Sequence, residues 1–228
     1  ANAAKLVDYL DDIDVCEKAV GSSDVPKAVL PIHNAEAMLG NTTKHCCVGP
    51  GNGFLLKKLV KMAGTIVGGV NKLNERPILS FTTCPVSPLT LIDECCEIIM
   101  EAARTGSVVN ILSMAMAGGT APVTLAGAIA LAIAEGLLSL TLVQLRQTGA
   151  PCFLSANVSA FDMATTTLSI ASPEMSLGLS AQAEVAQSFG LPTWGLAGST
   201  DSKVLDAQAG IESSFSILAQ GLGGLNLI

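Results

Sequence analysis

Charge is what this sequence has least of: 14% of its 228 residues are Asp, Glu, Lys or Arg, where about a quarter is usual. Lys and Arg total 12 against 19 Asp and Glu, for a net charge of −7 with no basic patch, which argues against a nucleic-acid partner. Aromatic residues make up 4% and there are two histidines, His33 and His45, too few for a histidine-rich metal site. GxSxG, HExxH, the P-loop and the dinucleotide fingerprint are all missing, so no familiar catalytic signature offers itself. No Lys/Arg cluster flanks an apolar segment, which argues against a membrane span. Ala1 leads into what reads as a polar amphipathic helix with Lys5, Asp8, Asp11 and Asp12 exposed, so no secretory leader and a cytoplasmic protein are expected. The seven cysteines include the adjacent pairs Cys46-Cys47 and Cys95-Cys96 but no CxxC. Neighbouring side chains point apart, so neither pair can readily grip one metal, and reduced core cysteines are expected.

What is present is a rhythm. Seven short apolar runs begin near Val15, His45, Ile78, Val109, Cys152, Thr193 and Asn226, 30 to 43 residues apart, and all but the last lead into a helix-like stretch. Parallel strands need a crossover of about this length, and strands that read as continuous apolar runs are buried on both faces. The pattern predicts a parallel sheet clothed in helices, with the site on the loops that leave the strands' carboxyl ends. One α/β domain spanning 1–228 fits the length. Seven strands are one short of a closed TIM-type (β/α)8 barrel. The chain opens on a helix and stops at Leu227-Ile228, so it reads as a fragment of a longer chain, incomplete at one or both ends. An open doubly wound sheet would give similar local signals.

Punctuation supports the crossovers. Ser172-Pro173-Glu174 supplies an N-cap, a proline at the first helical position and an acid facing the dipole, and Gly190 stops that helix. Ser87-Pro88 is expected to start a helix running to Gly106. Thr120 is expected to start another, broken near Gly136 and ending at Gly149. Asp206 opens a fourth, whose stripe of Ile211, Phe215 and Leu218 should face the sheet. Helix-to-strand links are terse. Strand-to-helix links (84–87, 114–121, 158–171, 198–205) are longer and rich in Gly, Ser, Thr, Asn and Asp. Between Arg104 and Arg146 the only charge is Glu135; the helix from Ala121 onward suits a subunit contact in a homo-oligomer or an interior position equally.

Chemistry-bearing residues are few. Val48-Gly49-Pro50-Gly51-Asn52-Gly53 could lay its amides on an anion, though Gly, Pro and Asn mark plain turns as well. His45 reads as a satisfied core or rim residue. Lys203 invites a Schiff-base role, but between Asp201 and Asp206 it reads better as a solvated lysine. Phe81, Phe153 and Trp194 fall in predicted strands and Phe161 in a loop. Strand aromatics are usually core, yet aromatic faces are also what holds a quaternary ammonium.

Several segments resemble the trimethylamine methyltransferase family: Pro85-Val86-Ser87-Pro88-Leu89; Met114-Ala115-Met116-Ala117-Gly118-Gly119-Thr120-Ala121-Pro122-Val123-Thr124-Leu125-Ala126-Gly127; Asp162-Met163; Ser172-Pro173-Glu174; Asp201-Ser202-Lys203; Asp206-Ala207-Gln208-Ala209-Gly210; and Asn226-Leu227-Ile228. They occur in the family's order and span most of the chain, most strongly from Pro77 onward. The resemblance implies a TIM-type barrel and transfer of a methyl group from a methylamine or betaine to the cobalt of a corrinoid, carried by a separate protein or supplied as free cobalamin. Family chains are about twice this length. Archaeal trimethylamine enzymes carry pyrrolysine, and this sequence shows none, so the chain looks like the branch that demethylates glycine betaine, with trimethylamine or carnitine as alternative donors. A Schiff-base lyase and a non-catalytic betaine-binding barrel are the rivals from other classes.

On this resemblance, Phe81, Phe153 and Trp194 would flank a trimethylammonium group, and Asn110, Asn157, Asp201 and Gln208 would bind polar atoms or order the loops. Core aromatics, caps and turn residues are the plain alternative. No acid, base or nucleophile is assigned, because a quaternary ammonium carries its own leaving group.

Overall fold

The computed structural model describes residues 1–18 and 21–228. Its strands are β1 (Val15–Glu17), β2 (His45–Val48), β3 (Leu79–Thr83), β4 (Val108–Ala117), β5 (Cys152–Asp162) and β6 (Thr167–Ser169). Its α-helices are α1 (Asn2–Tyr9), α2 (Leu30–Leu39), α3 (Gly53–Val67), α4 (Asp93–Thr105), α5 (Leu125–Arg146), α6 (Pro173–Ser188) and α7 (Ala207–Leu222). The strands are hydrogen-bonded in chain order, β1 through β6, and the β1–β2 and β2–β3 ladders are parallel. Two parallel bridges extend the series, Leu154 with Thr193 and Trp194 with Leu227. Each of the seven apolar runs therefore becomes a strand or a bridge. A doubly wound sheet reverses its order at a switch point. Here the order never reverses, and the fold is α/β of the TIM-barrel type, incomplete.

The chain divides into two compact units. The first holds residues 1–83, 93–110 and 142–151. Its core is built on α3, which buries Leu56, Leu59, Val60 and Ala63, and on α4, which buries Ile98, Ile99, Ala102 and Ala103. These spacings of three and four place the apolar groups on one stripe of each helix. Asn52 caps α3 by accepting from the Leu55 amide at 2.9 Å. The Gly53 amide donates to Glu97 at 3.2 Å, so the glycine-rich turn spends these donors inside the fold.

The second unit holds 84–92, 111–141 and 152–228. Its core cluster is Ala115, Ala128, Ala132, Ala156 and Val158, small residues that let α5 lie close on β4 and β5. Gly136 is part of that closeness: a Cβ there would sit 2.3 Å from Leu154 Cδ1. The helix is therefore continuous through Gly136, where a break was expected. At Gly118 (φ +86°) a Cβ would meet Met163 at 2.7 Å, so the Gly-Gly turn that ends the Met-Ala tract needs both the conformation and the space. Among the described residues α5 is the one helix long and apolar enough to cross a membrane, and a third of that stretch is buried in the fold.

Three further expectations are corrected. The helix after Ser87-Pro88 starts at Asp93; before it, Val86 and Thr90 exchange backbone hydrogen bonds at 2.8 and 2.9 Å and close residues 86–90 into a tight loop. The segment read as a link after Val158 continues β5 to Asp162 and returns as β6 in an antiparallel hairpin. Ile211, Phe215 and Leu218 face outward, 70%, 43% and 62% exposed. α7 buries Ala209, Ser216 and Gln220 instead, because the backbone of 196–198 needs partners. Ser216 Oγ accepts from the Gly198 amide at 3.0 Å and Gln220 Nε2 donates to the Leu196 carbonyl at 2.8 Å.

Candidate functional site

Strand alternation sorts the candidates of the second unit. Leu154, Ala156 and Val158 of β5 face the helices, as Gly136, Gly178 and the alanines of α5 show. Phe153, Ser155 and Asn157 therefore share the opposite face. Because Thr193 pairs with Leu154, Trp194 stands level with Ser155 on that same face. Two backbone bonds set this register: the Leu154 amide donates to the Pro192 carbonyl at 3.0 Å and the Trp194 amide to the Leu154 carbonyl at 3.4 Å. On its other side Thr193 is held by Asn226, whose Oδ1 accepts from the Thr193 amide at 2.9 Å and its hydroxyl at 3.1 Å, while Thr193 Oγ1 accepts the Asn226 amide at 3.2 Å. Three expected residues, Phe153, Asn157 and Trp194, are thus brought onto one surface. Ser155 joins them; the apolar reading of this strand passed over it.

This surface has a distinctive hydrogen-bond state. Ser155 and Asn157 are 0% exposed, and Ser155 Oγ and both Nδ2 and Oδ1 of Asn157 have no partner. An unmet buried polar group costs about 1–3 kcal/mol, and each one in a native protein calls for a reason. The unit around them holds seven acidic residues and one basic residue, Lys203, which is exposed on the 198–206 loop.

In the first unit the corresponding chemistry is closed upon itself. His45 Nδ1 lies 2.9 Å from the Pro77 carbonyl and Nε2 2.8 Å from Ser80 Oγ; burial pushes its pKa down, against the pull of the Pro77 carbonyl. Cys47 Sγ meets Thr82 Oγ1 at 3.1 Å, and Asn110 Nδ2 donates to the same hydroxyl at 3.4 Å, although Asn110 Oδ1 has no partner. Phe81 lies on the other face of β3 from Ser80 and Thr82, fully buried beside Val60, Ala63, Leu73 and Leu79. It belongs to the core of this unit. Cys46 is buried on that same side, and burial pushes its thiol up to about 12.

Asp201 and Gln208 form a separate network. Asp201 accepts from Ser169 Oγ at 2.8 Å and from the amides of Ile170 at 3.3 Å and Ala171 at 3.1 Å. Gln208 Nε2 donates to Glu212 at 2.8 Å, and the other oxygen of Glu212 takes Thr200 Oγ1 at 2.6 Å and the Asp201 amide at 2.8 Å. These bonds tie the 198–206 loop to the start of α6 and to α7. They flank an open groove of about 470 Å³ lined by Ser172, Pro173, Ile211, Glu212 and Phe215. Asp201 and Gln208 order loops here.

Glu135 is the residue whose role the sequence left unread. Fully buried in the middle of α5, its carboxylate accepts from Ser87 Oγ at 2.8 Å, Ser113 Oγ at 2.5 Å and the Leu89 amide at 2.9 Å. Leu89 has φ +50°, a conformation that a leucine rarely adopts. Glu135 thereby holds the loop that follows β3, at the sheet end where barrel sites are built.

Comparison with known proteins agrees with the resemblance. The sequence model of the trimethylamine methyltransferase (MTTB) family matches residues 1–228. The chain is 39% identical over 228 residues to trimethylamine methyltransferase MttB of Desulfitobacterium hafniense (strain DSM 10664 / DCB-2), covering 100% of this chain and 46% of that protein. Against the enzyme of the same name from Methanosarcina barkeri the identity is 35% over 230 residues, with 100% and 46% covered. The glycine betaine methyltransferase of Desulfitobacterium hafniense (strain Y51) is 34% identical over 206 residues, 90% of this chain and 43% of that one. The chain spans about half the length of the curated relatives it matches.

Proposed function

Because the chain belongs to the trimethylamine methyltransferase family, we propose that the whole protein moves a methyl group from a quaternary amine of the glycine betaine type to the cobalt of a corrinoid. The corrinoid is a second substrate, carried by a partner protein or supplied as free cobalamin. Similarity to a glycine betaine methyltransferase supports this donor class, and the similarity to trimethylamine methyltransferases makes trimethylamine the alternative donor.

The observation that carries the reading is the charge-poor face shared by Phe153, Ser155, Asn157 and Trp194. A trimethylammonium group has no N–H to donate, so it is held by aromatic faces in a site of low dielectric. Trp194 and Phe153 supply such faces. Departure of a methyl group needs no proton: the C–N bond breaks with its electron pair retained by nitrogen, and a neutral amine leaves. The new carbon–cobalt bond uses the electron pair of reduced cobalt. No acid, base or nucleophile on this chain is required, which fits the small number of buried titratable groups. The protein's work is to hold the methyl in line and keep water out. Both ring nitrogens of His45 are engaged and His33 is exposed on α2, which supports a corrinoid that arrives from outside. A cytoplasmic setting suits cysteines that carry no disulfide among the described residues.

The test is to incubate the full-length protein with reduced cobalamin and glycine betaine, carnitine or trimethylamine, and follow methylcobalamin absorbance. Growth of that spectrum with glycine betaine is expected. No spectral change with any of the three overturns the reading. Binding without transfer would mark a non-catalytic betaine-binding barrel, and a borohydride-trapped adduct on Lys203 would mark a lyase.

A further inference from the structure

We propose that Ser155 and Asn157 form the subsite that reads the carboxylate of a zwitterionic donor, and so decide between a betaine and a bare methylated ammonium. This rests on the function proposed above and deepens it.

The inference begins from the two residues' hydrogen-bond state. They occupy alternate positions on one face of β5, are wholly buried, and leave a hydroxyl and a complete carboxamide without partners. Elsewhere among the described residues comparable needs are met, apart from single oxygens of Asn110 and Gln220 whose amide nitrogens are bonded. Ser113 on β4 is spent on Glu135, Thr82 on Cys47 and Asn110, and Thr193 on Asn226. Gln182 of α6 even reaches the backbone of β5, taking the Ala156 amide and donating to the Leu154 carbonyl at 3.0 Å. Ser155 and Asn157 stand out because the strand beside them has been satisfied and they have not.

Together they offer up to three donor hydrogens, one from the hydroxyl and two from the amide nitrogen. A carboxylate is the acceptor that uses such a set. A lone anion is a poor fit, since the only basic residue of this unit, Lys203, is exposed on a loop and an unpaired buried charge is costly. A zwitterion removes the difficulty by carrying its own counter-charge. The register then places an aromatic face where the ammonium would be: Trp194 stands level with Ser155 on the adjacent strand position. Neutral donors beside an indole, with no cation at hand, select an N-methylated amino acid and disfavour both trimethylamine and simple carboxylates.

Calorimetry on the full-length protein tests this with three probes: glycine betaine, tetramethylammonium (the cation alone) and 3,3-dimethylbutanoate (the carboxylate with an uncharged tert-butyl group). Wild type should bind glycine betaine most tightly. Asn157→Ala should weaken glycine betaine about 10- to 100-fold, the range expected for hydrogen bonds to a charged group, and Ser155→Ala about 5- to 10-fold. Both should leave tetramethylammonium within about twofold. Thermal melts confirm that each variant folds; S155A, which removes one atom, serves if N157A does not. Equal losses for glycine betaine and tetramethylammonium, or no loss for either, would overturn the proposal and assign these atoms to water or to the rest of the chain. Wild type that binds none of the probes overturns it as well. Selective binding without methyl transfer would sink the proposed reaction and leave the subsite standing; transfer with unselective variants would do the reverse.

Discussion

The two units each bury polar side chains on their strands, and at two neighbouring positions the outcomes diverge. In the first, His45, Ser80, Cys47, Thr82 and the amide nitrogen of Asn110 bond to one another or to the backbone. In the second, Ser155 and Asn157 are buried as deeply and bond to nothing. The sheet chemistry is alike, so the difference is one of purpose. A closed network rigidifies, whereas an open one costs stability and persists where something else completes it. The contrast is sharpest inside the second unit itself, where Glu135, a residue far harder to bury than an asparagine, has all three of its neighbours arranged around it.

That comparison can be broken by mutation. The largest effect is expected from Glu135→Leu, which strands the Leu89 amide and two serine hydroxyls; a loss of about 3–5 kcal/mol in urea unfolding is predicted. Glu135→Gln should cost clearly less, because its oxygen can still accept from Leu89 while the hydroxyls turn to accept from the new amide. Next comes the serine pair. Ser113→Ala removes a bond to a buried carboxylate and should cost about 1.5–3 kcal/mol, while Ser155→Ala should be neutral or stabilise the fold by up to about 1 kcal/mol. Equal destabilisation by the two would mean that Ser155 is bonded within the folded protein after all.

Smaller effects sharpen the first unit. The His45 pKa is lowered on folding, so the unfolded chain binds the proton more readily. The stability it contributes is full above its unfolded pKa, near 6.5, and is lost as pH falls from there toward the folded value. Acid titration of stability below about pH 6.5 should flatten in His45→Gln. Buried Cys46, with its thiol pushed up to about 12, should resist iodoacetamide in the native protein at pH 8 and react on unfolding, as read by mass spectrometry. Leu222→Lys on the outward face of α7, where Leu222 is 80% exposed, should change the stability of this chain by less than about 0.5 kcal/mol.

The strand rhythm was legible because burial on both faces leaves a continuous apolar run, and all seven runs pair in sequence order. The α7 stripe misled for a physical reason: amphipathicity tells which face is apolar, not what covers it, and here the backbone of 196–198 recruited Ser216 and Gln220 to the inner side. The loop after β3 was read as a helix start from Ser87-Pro88, since nothing local announces that a glutamate 46 residues away takes the Leu89 amide. Phe153, Asn157 and Trp194 could be named as candidates, but their shared face waited on register, which the backbone bonds between Leu154 and residues 192–194 set across about 40 residues of chain. Ser155 had a signal of its own, lying two residues from both Phe153 and Asn157, the period at which strand residues share a face.

The most direct measurement is a crystal structure of the full-length protein with glycine betaine. The carboxylate should lie within about 3 Å of Asn157 Nδ2 and Ser155 Oγ, with the methyl groups against Trp194. Side chains from the remaining half of the chain seated on Ser155 and Asn157, with the ligand bound elsewhere, would contradict the account.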